Sequence, residues 1–120
     1  MEKTSQTLLE TVVKAGDDKR AEDIMALDVQ EISLLADYFV IMHGNNDRQV
    51  EAIAESVIDA AEKTGYTVKN VEGKNSAKWV LVDLGDIIVH VFNHSERSFY
   101  NLEKLWSDAP LVNLSKWVTK

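Results

Sequence analysis

The segment Ala36-Asp37-Tyr38-Phe39-Val40-Ile41-Met42 constrains the fold of this chain more than any other. It is aromatic, β-branched and nearly continuously apolar, which predicts a strand. Such a run suits a strand covered on both faces. Directly after it, Asn45-Asn46 opens the clearest helix in the chain. Val50, Ile53, Ala54, Val57, Ile58 and Ala61 form one apolar stripe at helical spacing. Asn46 suits the N-cap, and Gln49 sits where the partner of a capping box would. Gly65 ends the helix.

The other elements are read around this pair. Thr4 to Ala15 predicts a first helix through Leu8, Leu9, Val12 and Val13, with Gly16 just past its end. Asp23 to Val29 reads as a strand, and Tyr66 to Val71 as a short one. Glu72-Gly73-Lys74-Asn75-Ser76 is turn chemistry. Trp79-Val80-Leu81-Val82 and Ile87-Ile88-Val89-His90-Val91-Phe92, joined by Asp83-Leu84-Gly85-Asp86, predict an antiparallel hairpin. Ser95 caps a last helix carrying Phe99, Leu102, Leu105 and Trp106, and Pro110 fits its end.

The expected fold is α/β (α+β), a mixed sheet of about five strands flanked by helices. The strand–helix–strand step across Val50 to Ala61 suggests a parallel pair with a right-handed crossover. A chain of 120 residues suits one domain, and there is no repeat or linker. One domain over residues 1–109 and a short tail over 110–120 are expected.

Composition excludes several classes. With no cysteine, disulfides and thiolate metal sites are ruled out. The polar stretch from Met1 to Glu10 has no apolar core of a signal peptide, and no apolar run is long enough for a membrane span. A cytoplasmic location and no membrane partner are expected. The net charge of -7 argues against broad or sequence-specific contact with nucleic acid, which wants clustered Lys and Arg. It is compatible with a basic protein partner, although an acidic surface that only aids solubility is the simpler reading.

Candidate chemical motifs are weak. Gly44-Asn45-Asn46-Asp47-Arg48-Gln49 follows a strand and opens a helix, a place where backbone N–H groups hold phosphates. It lacks the G-K-[ST] ending of a P-loop and the three glycines of a dinucleotide fingerprint, so a tight turn with an N-cap is the simpler reading. Asp83 and Asp86 faintly resemble the paired acids of nucleotidyltransferases. Those acids need an even offset to leave one face of a strand. Asp83 and Asp86 are offset by an odd number and flank a turn. His90 and His94 do not share a helix and lack the Glu of a zinc-protease motif, so structural roles are read for them. No nucleophile elbow is present. No enzyme activity, metal or cofactor is expected.

Three aromatics stand beside polar sequence. Trp106 continues the Phe99–Leu102 stripe and reads as core, whereas Tyr100 falls off it. Trp79 opens a strand directly after the polar turn. It fits core and interface anchor equally, since large aromatics with a polar rim are the usual anchors of interfaces. Lys78 beside it should point to the opposite face.

Taken in order, three segments resemble the signatures of one family. They are Ala36 to Ile41 with Gly44 and Arg48-Gln49-Val50, then Glu72-Gly73 with Trp79 to Phe92, then Arg97 to Trp106. The chain resembles the ribosomal silencing factor (RsfS, or Iojap) family from about Ala21 to Ala109. Many members carry Ser where this chain has Asn46, and both are strong N-caps. The resemblance implies a nucleotidyltransferase-like fold without catalytic acids. It implies binding to the large ribosomal subunit through its protein number fourteen, a block on small-subunit joining, and repression of translation. Organelle relatives imply a part in large-subunit maturation, and free family proteins also form homodimers. Carried over residue by residue, Trp79 matches the family's hallmark Trp. Gly73 and Lys78 lie near it, while Asp83, Asp86 and Tyr100 match positions suited to a basic partner. The rival readings are a metal-dependent nucleotidyltransferase and a homodimeric scaffold with some other partner.

Overall fold

A computed structural model describes residues 5–30, 36–73 and 79–93, together with 112, 114 and 117. The elements run α1 (Ser5–Asp18), β1 (Glu22–Asp28), β2 (Tyr38–Gly44), α2 (Asp47–Lys63), β3 (Asn70–Glu72), β4 (Trp79–Asp83) and β5 (Ile87–Asn93). The strands form one five-stranded sheet in the order β1-β2-β5-β4-β3. Among the described strands only β2 and β5 pair in parallel; β1–β2, β5–β4 and β4–β3 are antiparallel. The mixed sheet and the hairpin of β4 and β5 agree with the sequence reading.

The apolar run of β2 is buried over its whole length, as a strand covered on both faces requires. Its parallel partner corrects one expectation. The strand that follows α2 in sequence, β3, does not lie beside β2; it forms the far edge. A slot next to β2 needs a strand apolar on both sides. β3 has one half-buried residue, Val71, between two exposed ones, whereas β5 is buried through most of its length. The crossover through α2 therefore skips β3 and β4 before the chain returns as β5. β3 is also shorter than expected. Tyr66 is still closing α2, its N–H donating to the Ala61 carbonyl, and the ladder begins only at Asn70.

Helices α1 and α2 pack together on one sheet face. Leu8, Leu9, Val12 and Val13 of α1 and Val50, Ile53, Ala54, Val57 and Ala61 of α2 meet Val40 and Met42 of β2, Val80 and Val82 of β4, and Ile87, Val89 and Val91 of β5. The stripes read from the sequence are these contacts. Asn46 caps α2 as expected, its Oδ1 accepting the Gln49 N–H at 2.9 Å. Gln49 departs from a simple capping box. Its Oε1 accepts from the Asn45 N–H, and its Nε2 donates to the carbonyls of Lys19 and Arg20 beyond α1. One side chain thereby ties the start of α2 to the end of α1.

Gly16 does not follow α1 but lies inside its last turn, where a Cβ would strike the sulfur of buried Met42. The left-handed position that closes the helix belongs to Arg20, at φ 63°. The tail also joins the core at the residues described. Val112 N–H donates to the Ala26 carbonyl on β1, Leu114 is buried, and Trp117 packs against the same cluster. The predicted helix from Ser95 to Trp106 lies outside the described residues. Among the described residues no helix is long and apolar enough to cross a membrane.

Candidate functional site

Side chains alternate along a strand, so pairing register decides which residues share the face opposite the helices. Across β4 and β5, Trp79 pairs with Phe92, Leu81 with His90, and Asp83 with Ile88. Across β5 and β2, Ile88 pairs with Phe39 and His90 with Ile41. These residues share that second face. Leu27, Val29, Ala36, Phe39, Ile41 and Phe92 form a second buried cluster there, with Trp79 and Ile88 half-buried against it.

Trp79 is held against two side chains of β5, Phe92 and His90. Its ring stacks on Phe92 with centroids 5.3 Å apart and planes inclined by 25°. It lies 5.9 Å from the His90 ring, a diagonal neighbour in the ladder. Its indole Nε1–H donates to His90 Nδ1 at 3.1 Å. Phe39 meets the other side of His90 edge-on at 5.8 Å. His90 is 7% exposed, and burial pushes its imidazole down to about 4, so near neutral pH it is uncharged. An indole nitrogen only donates, so His90 Nδ1 is the bare nitrogen and the ring proton sits on Nε2.

Gly73 ends β3 at φ 80°, and a Cβ there would run into the Trp79 carbonyl oxygen. Both facts demand glycine. The structure thus brings Gly73 and Trp79 together, one on each side of residues 74–78. Lys78 and Tyr100 lie outside the described residues.

Asp83 and Asp86 sit elsewhere. Asp83 shares the face of Trp79 but lies at the opposite end of β4, about 13 Å along the strand by the usual rise per residue. Its Oδ1 accepts the Gly85 N–H at 2.9 Å, so the carboxylate shapes its own turn. Asp86 is exposed, and its carbonyl accepts the N–H groups of Asp37 and Tyr38, which locks the hairpin turn to the start of β2. Among the described residues no group of three His, Asp or Glu side chains gathers in a way that would hold a metal ion.

His90 is the member of this site that sequence reasoning did not single out. It reads as structural, and it is buried and hydrogen-bonded. The sequence does carry one signal of its larger place: once the hairpin register is drawn, His90 falls diagonally opposite Trp79 on one face.

Comparison with known proteins gives the family and the fold. A sequence model of the family described as ribosomal silencing factor during starvation matches residues 2–120. The chain is 60% identical over 109 residues to a ribosomal silencing factor RsfS of Bacillus subtilis, covering 91% of this chain and 92% of that protein. It is 32% identical to the chloroplastic protein Iojap of Zea mays over 87% of this chain, although the match spans 45% of the plant protein. A crystal structure from Bacillus halodurans superposes with a TM-score of 0.82 at 50% identity, over 91% of this chain and 99% of the other. One from Chromobacterium violaceum gives 0.86 at 33% identity, over 88% of each. With a family model spanning nearly the whole sequence and the same fold in close relatives, the chain belongs to the ribosomal silencing factor (RsfS) family.

Proposed function

We propose that this chain is a cytoplasmic regulator that docks on the large ribosomal subunit through its protein number fourteen. Occupying that surface blocks joining of the small subunit and so represses translation. The observation that carries the reading is Trp79: a large aromatic, half-buried and fixed against Phe92 and His90. Interface anchors have this character, because a rigid ring loses little conformational entropy when it is covered. Membership of the family and a net charge of -7, suited to a basic partner, support the same reading. Trp79 supplies the buried contact, and Gly73 packs against its backbone. Lys78, Asp83, Asp86 and Tyr100 complete the proposed contact surface.

Sedimentation with separated ribosomal subunits at moderate salt tests this. The wild-type chain is expected to travel with the large subunit. Trp79→Ala is expected to bind roughly thirtyfold more weakly, the cost of truncating an aromatic anchor. Wild-type protein absent from the large-subunit fraction would overturn the function. A folded Trp79→Ala chain that binds as well as wild type would overturn the site.

A further inference from the structure

On the second sheet face the indole of Trp79 makes a part-buried hydrogen bond to the imidazole of His90. From it we infer that His90 is a positioning residue for the ribosome-binding surface: its Nδ1 accepts the Trp79 indole N–H and sets the plane in which the ring is presented. This rests on the reading of Trp79 as the anchor.

A tryptophan at the start of a strand, half-buried and next to a turn, has several side-chain rotamers open to it. Stacking on Phe92 restrains the tilt of the ring but not its direction, because an indole slides and flips on an aromatic face at little cost. A hydrogen bond to Nε1 removes that freedom, since only one edge of the indole carries a donor. The acceptor must itself be rigid and unprotonated. His90 meets both needs. It is clasped between Phe39 edge-on at 5.8 Å and Phe92 at 6.2 Å with planes inclined by 9°. Its ladder neighbours on either side are Ile41 and Leu81, both apolar. A ring so enclosed stays neutral and keeps Nδ1 as an acceptor. An anchor held in its bound orientation before contact loses less entropy on binding than one that must be ordered.

Two substitutions separate this role from mere packing. His90→Asn places an amide oxygen where Nδ1 stands and keeps the acceptor. His90→Leu fills the space without one. The first readout is nuclear magnetic resonance on the full-length wild-type chain labelled with ¹⁵N. It is expected to show a bare His90 Nδ1, a protonated Nε2 and scalar coupling from Trp79 Nε1 across the hydrogen bond. A protonated His90 Nδ1 would overturn the inference without any variant. The second readout is affinity for isolated large subunits. His90→Leu is expected to bind about fivefold more weakly, the scale of one net hydrogen bond. His90→Asn is expected to stay within about twofold of wild type, and His90→Leu to add nothing in a Trp79→Ala background. Equal losses for Asn and Leu would overturn the positioning role, as would wild-type affinity for His90→Leu when Trp79→Ala binds weakly. Wild-type affinity for Trp79→Ala would instead remove the underlying reading and this inference with it.

Discussion

Buried histidines tie stability to pH, and His90 does so in a direction the structure fixes. Unfolded, its imidazole titrates near 6.5; folded, burial holds it down to about 4. Between those values the unfolded chain binds more protons, so stability falls as pH falls through the window from 6.5 to about 4. The shift corresponds to about 3 kcal/mol at its low end. The side chains sharing this face on neighbouring strands that also ionise are His43 on β2, Glu22 opposite it on β1, Asp83 on β4 and Glu72 on β3. The same groups stand in wild type and variant. Urea unfolding at pH 7 and pH 4.5 is therefore expected to show wild type losing about 2 to 3 kcal/mol more than His90→Asn. Equal losses would mean that the imidazole does not stay neutral on folding. Trp79 shows what the sequence could not deliver at this scale. Alternation placed it on a face, but its partner His90 lies two residues along β5 from its direct opposite, Phe92, and only register and rotamer together bring Nε1 to Nδ1.

The elements most legible in the sequence were those whose signals are local. β2 is written in a run of apolar residues, and α2 in a cap, a stripe and a terminating glycine. What stayed hidden was set by contacts distant in sequence. Gly16 reads as a residue that follows a helix, yet it is small because Met42 of β2 occupies the space above it. Arg20 takes the left-handed position in its place. Gln49 reads as a local capping residue, yet two of its hydrogen bonds cross to the carbonyls of Lys19 and Arg20. That difference is testable. Asn46→Ala removes one cap bond and is expected to cost about 1 kcal/mol, with Asn46→Ser close to wild type. Gln49→Ala removes the bond to Asn45 and both cross-links, and is expected to cost about 2 kcal/mol, more than any cap alone usually gives. Denaturant midpoints of the three variants decide it. A Gln49→Ala cost no larger than that of Asn46→Ala would show that the link to the end of α1 adds nothing.

On the scale of the whole molecule the sheet divides labour between its faces. One carries α1 and α2 and the larger core; the other carries the aromatic cluster that presents Trp79. Composition and periodicity are enough to predict two layers and a mixed sheet. They do not give strand order, because β5 and β2 meet only after α2, β3 and β4 have been laid down, and no local signal spans that distance. The tail is the sharpest case. Pro110 leads to the expectation of a short tail beyond residue 109, and its described residues make contacts of the kind found in a core. Val112 supplies a hydrogen bond to Ala26 on the edge strand β1, where an unpaired carbonyl would otherwise face outward. Leu114 is 8% exposed within the helical-face cluster. Burying a leucine contributes about 2 kcal/mol and the hydrogen bond about 1 kcal/mol. A chain ended after Ala109 is therefore expected to be less stable by about 3 kcal/mol, a large share of the 5 to 15 kcal/mol typical of a domain. Trp79 stands on β4, separated from β1 by β2 and β5, so the shortened chain is expected to keep the proposed large-subunit binding at temperatures where it remains folded. Urea unfolding of the two chains, followed by subunit sedimentation, measures both. Equal stability would confine the folding unit to residues 1–109, whereas lost binding in a folded short chain would make the tail part of the contact surface itself.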